Sequence, residues 1–298
     1  MQNPSPKNDH TLTELQQSIL NIYKELKEVL DKNGLRYYAI GGTCIGAVRH
    51  RGFIPWDDDM DLVMPDSDYE KFVSIAKDVL PPHLEMLVRS DHPHDPTVAG
   101  RVFDKNSTFI EAHEAKYPDE YKGVFVDILP MKGLPEDEAE RAEYFRNMKR
   151  YMRLNEKRRC SFNYIKRPKT KALWLAAVPF RVLPNSYWSD KIYEMQSKYP
   201  FDKATTTGYT WSLHIGKRNF PTSLFDEYIE LPFEDTTVRC PKGYDEMLTA
   251  IYGEYMTIPP KDQQKGLHEE TSFIDLKKPY SYYQKLYAQT GTLKKETV

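Results

Sequence analysis

Two rhythms of apolar and polar positions divide this chain. Leu12, Leu15, Ile19, Ile22, Tyr23, Leu26, Val29 and Leu30 recur every three or four positions up to Gly34, the spacing of one face of an α-helix. Thr11 and Glu14 form a capping-box pattern just ahead of it. The period then shortens. Leu35 to Ile40 predicts a strand, Thr43 to His50 a short helix, and Asp57 to Met64 a second strand, folded back on the first across a loop through Gly52. Asp66 or Ser67 suits the cap of a helix with Tyr69, Phe72, Val73, Ala76, Val79 and Leu80 on one face, which Pro81-Pro82 stops. Three short β-like runs follow, Leu84 to Val88, Gly100 to Phe103 and Ser107 to Ile110. The nearly continuous apolar run Val124 to Leu129 suits a strand covered on both faces.

Beyond residue 135 helical spacing dominates. Glu136 to Arg159 predicts a helix with Tyr144, Met148, Tyr151, Met152 and Leu154 as its buried stripe, and Ser189 to Lys198 predicts another. Residues 1–10 carry two prolines and are expected to be disordered, and residues 262–298 are polar and tyrosine-containing, ordered only if they dock back. The expected fold is α+β. A small mixed or mostly antiparallel sheet with flanking helices spans 11–135, and a mainly helical region over 136–298 completes a substrate cleft.

Composition narrows the function. With 298 residues and 40% hydrophobic content the chain can bury a sizeable core. A net charge of -2 gives no overall field favouring nucleic acid. Three widely spaced cysteines, Cys44, Cys160 and Cys240, argue against a disulfide framework and a zinc site, and fit a reducing cytoplasm. No apolar stretch reaches the ~18 residues of a spanning helix. The basic run Arg153 to Lys171 leads into Ala172-Leu173-Trp174-Leu175-Ala176-Ala177-Val178. Such a segment either rests on an anionic membrane surface or, more commonly, is a solvated helix face beside a buried one.

The chemistry concentrates between Gly41 and Met64. Asp57, Asp59 and Asp61 occupy every second position, so an extended backbone would gather them on one face. Carboxylates in a row suit a hard divalent cation such as Mg²⁺. A solvated acidic loop is the competing reading, but the lead-in Phe53-Ile54-Pro55-Trp56 is poor composition for one. Gly41-Gly42-Thr43 follows an apolar run and opens a helix, where backbone N–H groups approach a phosphate. Arg49 and Arg51 flank His50 and are suited to a diphosphate, or to ion pairs with the nearby acids. His50 and His268 are weak candidates for a base. Trp56 is either a wall for a cationic head group or core packing. Asp127, inside the apolar run 124–129, needs a partner, either a metal shared with Asp59 and Asp61 or an arginine such as Arg101. Arg101 is also a candidate substrate contact.

The stretch GGTCIGAVRHRGFIPWDDDMDL, with Gly123-Val124-Phe125-Val126-Asp127-Ile128-Leu129-Pro130 and, more faintly, Tyr252-Gly253-Glu254-Tyr255-Met256 before Pro259-Pro260, resembles the LicD family of phosphocholine transferases. That family is related to fukutin-type enzymes and belongs to the DNA polymerase beta-like nucleotidyltransferase superfamily. The resemblance implies Asp59, Asp61 and Asp127 as ligands of Mg²⁺ or Mn²⁺; as the base, Asp57 ranks first because it shares the face of Asp59 and Asp61, with Asp58 the alternative if a bulge intervenes. It also implies a transferase moving phosphocholine, or a similar phospho-alcohol, from CDP-choline or another CDP-alcohol. The acceptor would be a hydroxyl of a cell-surface glycan or its lipid-linked precursor, handled in the cytoplasm or at the inner face of the membrane. Two rivals stand beside it: a nucleotidyltransferase that consumes NTP and releases pyrophosphate, and a non-catalytic glycan- or choline-binding module.

Overall fold

A computed structural model describes residues 11–88, 100–112, 114–115, 117–159, 187–210, 219–266 and 273–293. Several sequence expectations therefore lie outside the described residues: the disordered start, the basic-to-apolar stretch beyond Arg159, Cys160 and His268.

Helix α1 (Glu14–Lys32) buries Leu15, Ile19, Tyr23, Leu26 and Leu30, the stripe its periodicity predicts. Its cap differs from expectation. Thr13, not Thr11, accepts from the Gln16 N–H at 3.1 Å, and Gln16 Oε1 accepts from the Thr13 N–H in return. Gln16 fills the third helical position as Glu would in the expected box.

The main sheet has strands β1 (Tyr38–Ala39), β2 (Asp61–Pro65), β3 (Leu84–Leu87), β4 (Gly100–Asp104) and β6 (Phe125–Met131), ordered β1-β2-β6-β4-β3. Only β2 and β6 run parallel; the other neighbours are antiparallel. The expected α+β class with a small mixed sheet is what is found. The expected hairpin of the first two strands is present, although β1 is much shorter than Leu35 to Ile40. Helix α2 (Gly41–Ile45) continues as a π-helical turn over Gly46–His50, so it starts two residues before Thr43. Helix α3 (Asp66–Val79) ends just before Pro81-Pro82.

Strand β5 (Thr108–Ile110) lies outside the main sheet and pairs with β11 (Phe273–Asp275). The polar tail thus docks back. Helix α7 (Tyr280–Thr290) follows and buries Tyr283 beside Ile110 and Tyr121. Among the described residues this half also contains the α-helices α4 (Glu138–Arg159), α5 (Tyr187–Gln196) and α6 (Tyr244–Tyr252). The periodicity did not predict its strand pairs, β7 (Thr206–Gly208) with β8 (Asn219–Pro221) and β9 (Tyr228–Phe233) with β10 (Thr236–Pro241). Phe220, Phe225, Phe233, Val238, Met247 and Leu248 join Leu62, Val63, Val126 and Ile128 in one apolar core, each such side chain contributing ~1.5–3 kcal/mol by leaving water. Among the described residues no helix is long and apolar enough to cross a membrane.

Candidate active site

Register places three charged residues in a row. Asp61 on β2 lies opposite Asp127 on β6, and Asp127 lies opposite Arg101 on β4. Facing residues on neighbouring strands project to the same side. Arg101 Nε donates to Asp127 Oδ1 at 2.7 Å, and Nη1 donates to Glu111 Oε2 at 2.7 Å. The guanidinium also lies 4.1 Å from the centre of the Phe125 ring. Lys122 and Glu114, each 1% exposed, pair beside this group. Burial pushes the Asp127 carboxyl above its ordinary range; Arg101 opposes that, and Asp59 and Glu111 add to it.

The expected strand from Asp57 is corrected: its ladder begins only at Asp61. A turn precedes it, with the Asp57 N–H donating to Ile54 O at 2.9 Å. Gln16 Nε2 then takes Asp57 O at 2.8 Å, so the carbonyl serves α1 rather than a neighbouring strand. The alternation survives in exposure, however. Asp57, Asp59 and Asp61 are half-buried while Asp58 and Met60 are buried. Carboxylate oxygens of Asp57, Asp58 and Asp59 lie within 4.8 Å of one another. Asp58, only 4% exposed, is covered by Gly266, where a Cβ would come 2.5 Å from its Oδ2.

The glycine turn is packed against these acids. Gly41 has φ +55°, a left-handed conformation that favours glycine. A Cβ at Gly42 would meet Asp57 Oδ2 at 2.3 Å; the room glycine leaves there holds a carboxylate of the chain itself. Thr43 is buried, and its Oγ1 accepts from the Asp61 N–H at 2.9 Å, fixing the start of β2.

The two arginines diverge. Arg49 Nη1 donates to the carbonyls of Tyr255 at 2.5 Å and Thr257 at 3.3 Å, and Nε donates to His50 Nε2 at 2.9 Å. Burial lowers the proton affinity of Arg49 while nearby Asp57 raises it. Arg51 is exposed with φ 61°, and its carbonyl accepts from the Glu234 N–H at 2.8 Å in the β9–β10 turn. Trp56 is half-buried and packs edge-on to His50, ring centres 6.3 Å apart.

Residues the sequence did not connect to the site also reach it. Tyr209 is buried close to Tyr252 and Asp61, and the Tyr252 hydroxyl lies by Gly41. The faint Tyr252–Met256 resemblance was the only signal for this wall, and nothing pointed to Tyr209. Cys44 and Cys240 are buried free thiols with Sγ atoms 3.1 Å apart, and burial pushes the Cys44 thiol well up.

Residues 34–164, which contain the glycine turn, the acids, Arg101 and Asp127, match the family model described as LicD/FKTN/FKRP, nucleotidyltransferase domain. Over 277 residues the chain is 29% identical to the lipopolysaccharide cholinephosphotransferase LicD of Haemophilus influenzae, covering 89% of this chain and 98% of that protein. An uncharacterized protein of Rickettsia typhi is 30% identical over 111 residues, 35% of each chain.

Proposed function

This chain belongs to the LicD family, and from that premise we propose that it transfers phosphocholine from CDP-choline to a hydroxyl of a lipopolysaccharide glycan, in a metal-dependent reaction. The observation that carries the reading is the row Asp61, Asp127 and Arg101 across three adjacent strands, with the glycine turn packed against its first member. Two carboxylates set side by side on neighbouring strands repel. A fold that keeps them together, with Asp127 held above its ordinary proton affinity, suits the arrival of a divalent cation.

The donor set fits a hard divalent ion, because it is made of carboxylate oxygens alone. Asp59, Asp61 and Asp127 would hold Mg²⁺ or Mn²⁺, which when bound supplies charge neutralisation for a diphosphate. The chain's own residues do the remaining work. Asp57, which keeps part of its surface in solvent, takes the acceptor's proton as its oxygen attacks the choline-bearing phosphorus; the bond from that phosphorus to the bridging oxygen breaks, and CMP leaves. Asp58, buried under Gly266, is the poorer candidate for this task. Arg101 balances Asp127 and Glu111. Trp56 offers a ring to the trimethylammonium head.

The deciding experiment incubates purified protein with Mg²⁺, a lipopolysaccharide oligosaccharide and CDP-choline, CDP-ethanolamine, CDP-glycerol or CDP-ribitol in turn, and measures CMP. Acceptor-dependent CMP release, greatest with CDP-choline, is expected. Pyrophosphate release from an NTP, with every CDP-alcohol left intact, would overturn the reading.

A further inference from the structure

We infer that Tyr252 is a donor-contacting residue whose hydroxyl hydrogen-bonds a phosphoryl oxygen lying over Gly41 and Asp61. A Cβ built on Gly41 would stand 3.5 Å from Asp61 Oδ2 and also 3.5 Å from Tyr252 Oη. The phenol and the carboxylate therefore flank one small space above a residue without a side chain. Tyr252 is also 44% exposed, whereas Tyr209 and Tyr255 beside it are buried. Part of its surface therefore meets solvent.

Its position is fixed from several directions. Tyr252 is the last residue of α6, and the next residue, Gly253, turns the chain at φ +69° while its N–H closes on Thr249 O at 2.9 Å. Tyr255 is anchored by its hydroxyl, which donates to Asp245 Oδ1 at 2.5 Å. Arg49 then ties this segment to the π-helical turn through the carbonyls of Tyr255 and Thr257. The guanidinium that sequence assigns to a diphosphate thus acts here as a positioning group for the segment carrying Tyr252. A neutral phenol is a suitable donor at that point. It gives a hydrogen bond to an anion without adding a second positive charge to a site that already contains Arg101.

This inference rests on the proposed phosphocholine transfer, and one series of assays separates the two. Wild-type protein is tested first: no acceptor-dependent CMP release from CDP-choline would defeat the functional reading itself. With active wild type, Tyr252→Phe should raise the KM for CDP-choline or lower kcat/KM by about tenfold to a hundredfold, the value of a hydrogen bond to a charged group. Its melting temperature and its response to Mg²⁺ should match wild type. The loss should be equal for choline and glycerol donors, since both carry the diphosphate. Unchanged kinetics in Tyr252→Phe, or a loss found only in Tyr252→Ala and only for the choline donor, would overturn the hydroxyl contact. Arg49→Met should reproduce the defect, and the double variant with Tyr252→Phe should be no worse than Arg49→Met alone. Fully additive losses would show that Arg49 acts by another route, against the positioning role.

Discussion

Strands β2 and β6 run side by side, and their two ends treat charge in opposite ways. At the beginning, Asp61 stands opposite Asp127, acid against acid. Just past the other end, Asp66 receives Lys132 Nζ at 3.1 Å and the Phe201 N–H at 3.0 Å, both in buried surroundings. The second arrangement compensates itself: a buried carboxylate meets a cation and an amide and is a structural joint between β2, β6 and the segment before β7. The first gathers like charges and brings in Arg101 for Asp127. Side chains that only hold a fold together have no need of such crowding. The difference between a joint and a site is readable from which signs of charge the register brings together.

The largest expected effect separates the two ends by activity. Asp61→Asn and Asp127→Asn should lower kcat by about 10³-fold or more, the scale of removing a group that handles charge in the transition state, with melting temperatures no lower than wild type. Equal activity in wild type and Asp61→Asn would erase the distinction. Next in size is stability at the far end. Asp66→Ala leaves Lys132 buried with the more exposed Glu70 and the Tyr193 ring as neighbours and strips the Phe201 N–H of its acceptor, a cost of ~3–5 kcal/mol in urea unfolding. A change below about 1 kcal/mol would mean the joint is not one.

Metal sharpens the contrast. Millimolar Mg²⁺ or Mn²⁺ should raise the melting temperature of wild type and of Lys132→Met, a binding contribution of ~2.7 kcal/mol at a hundred times Kd, and should leave Asp61→Asn unmoved. In EDTA the order reverses with pH. The folded-state proton affinity of Asp127 is raised, so its ionised form lowers stability progressively as pH climbs above the ordinary Asp value of ~3.9. Asp127→Asn should therefore gain on wild type between acid and neutral pH, and an advantage that grows toward acid would refute that sign. Gly42→Ala comes next: its methyl displaces the end of the Asp57 side chain, so kcat should fall about tenfold, the low end of general-base contributions, with little change in melting. Loss of stability with unaltered kcat would leave Gly42 a packing residue. Smallest is Trp56→Phe, which should weaken the choline donor relative to the glycerol donor by ~0.5–2 kcal/mol if the ring meets the cation; identical effects on both donors would assign Trp56 to packing.

Local patterns were legible in the sequence, and distant ones were not. The stripe of α1, the hairpin of β1 with β2 and the apolar run of β6 follow from spacing alone, because each depends on near neighbours. The cap of α1 moved from Thr11 to Thr13 because Gln16 completes the box while its amide donates to the acid loop, a contact between segments far apart in the chain. For the same reason the ladder begins at Asp61 and not at Asp57. Arg49 looked like a phosphate ligand because its type suits one, but main-chain carbonyls of Tyr255 and Thr257 take its Nη1. Glycine at 42 is read in the sequence as room for a phosphate; that the Asp57 carboxylate packs there requires the loop to fold back. Tyr209 and Gly266 carry no motif of their own that would tie them to Asp58 or Asp61, and Tyr252 only the faint block that runs to Met256.

The cover that Gly266 lays over Asp58, and the phenol that Tyr252 sets beside Gly41, come from a part of the chain made well after the acids. Ribosomes add ~5–20 residues per second, so many seconds separate the emergence of Asp61 from that of Gly266. During that interval the acids are already synthesised but their far wall is not. The wall beside Asp58 and Gly41 is therefore complete only once Tyr252 and Gly266 have left the ribosome and folded back.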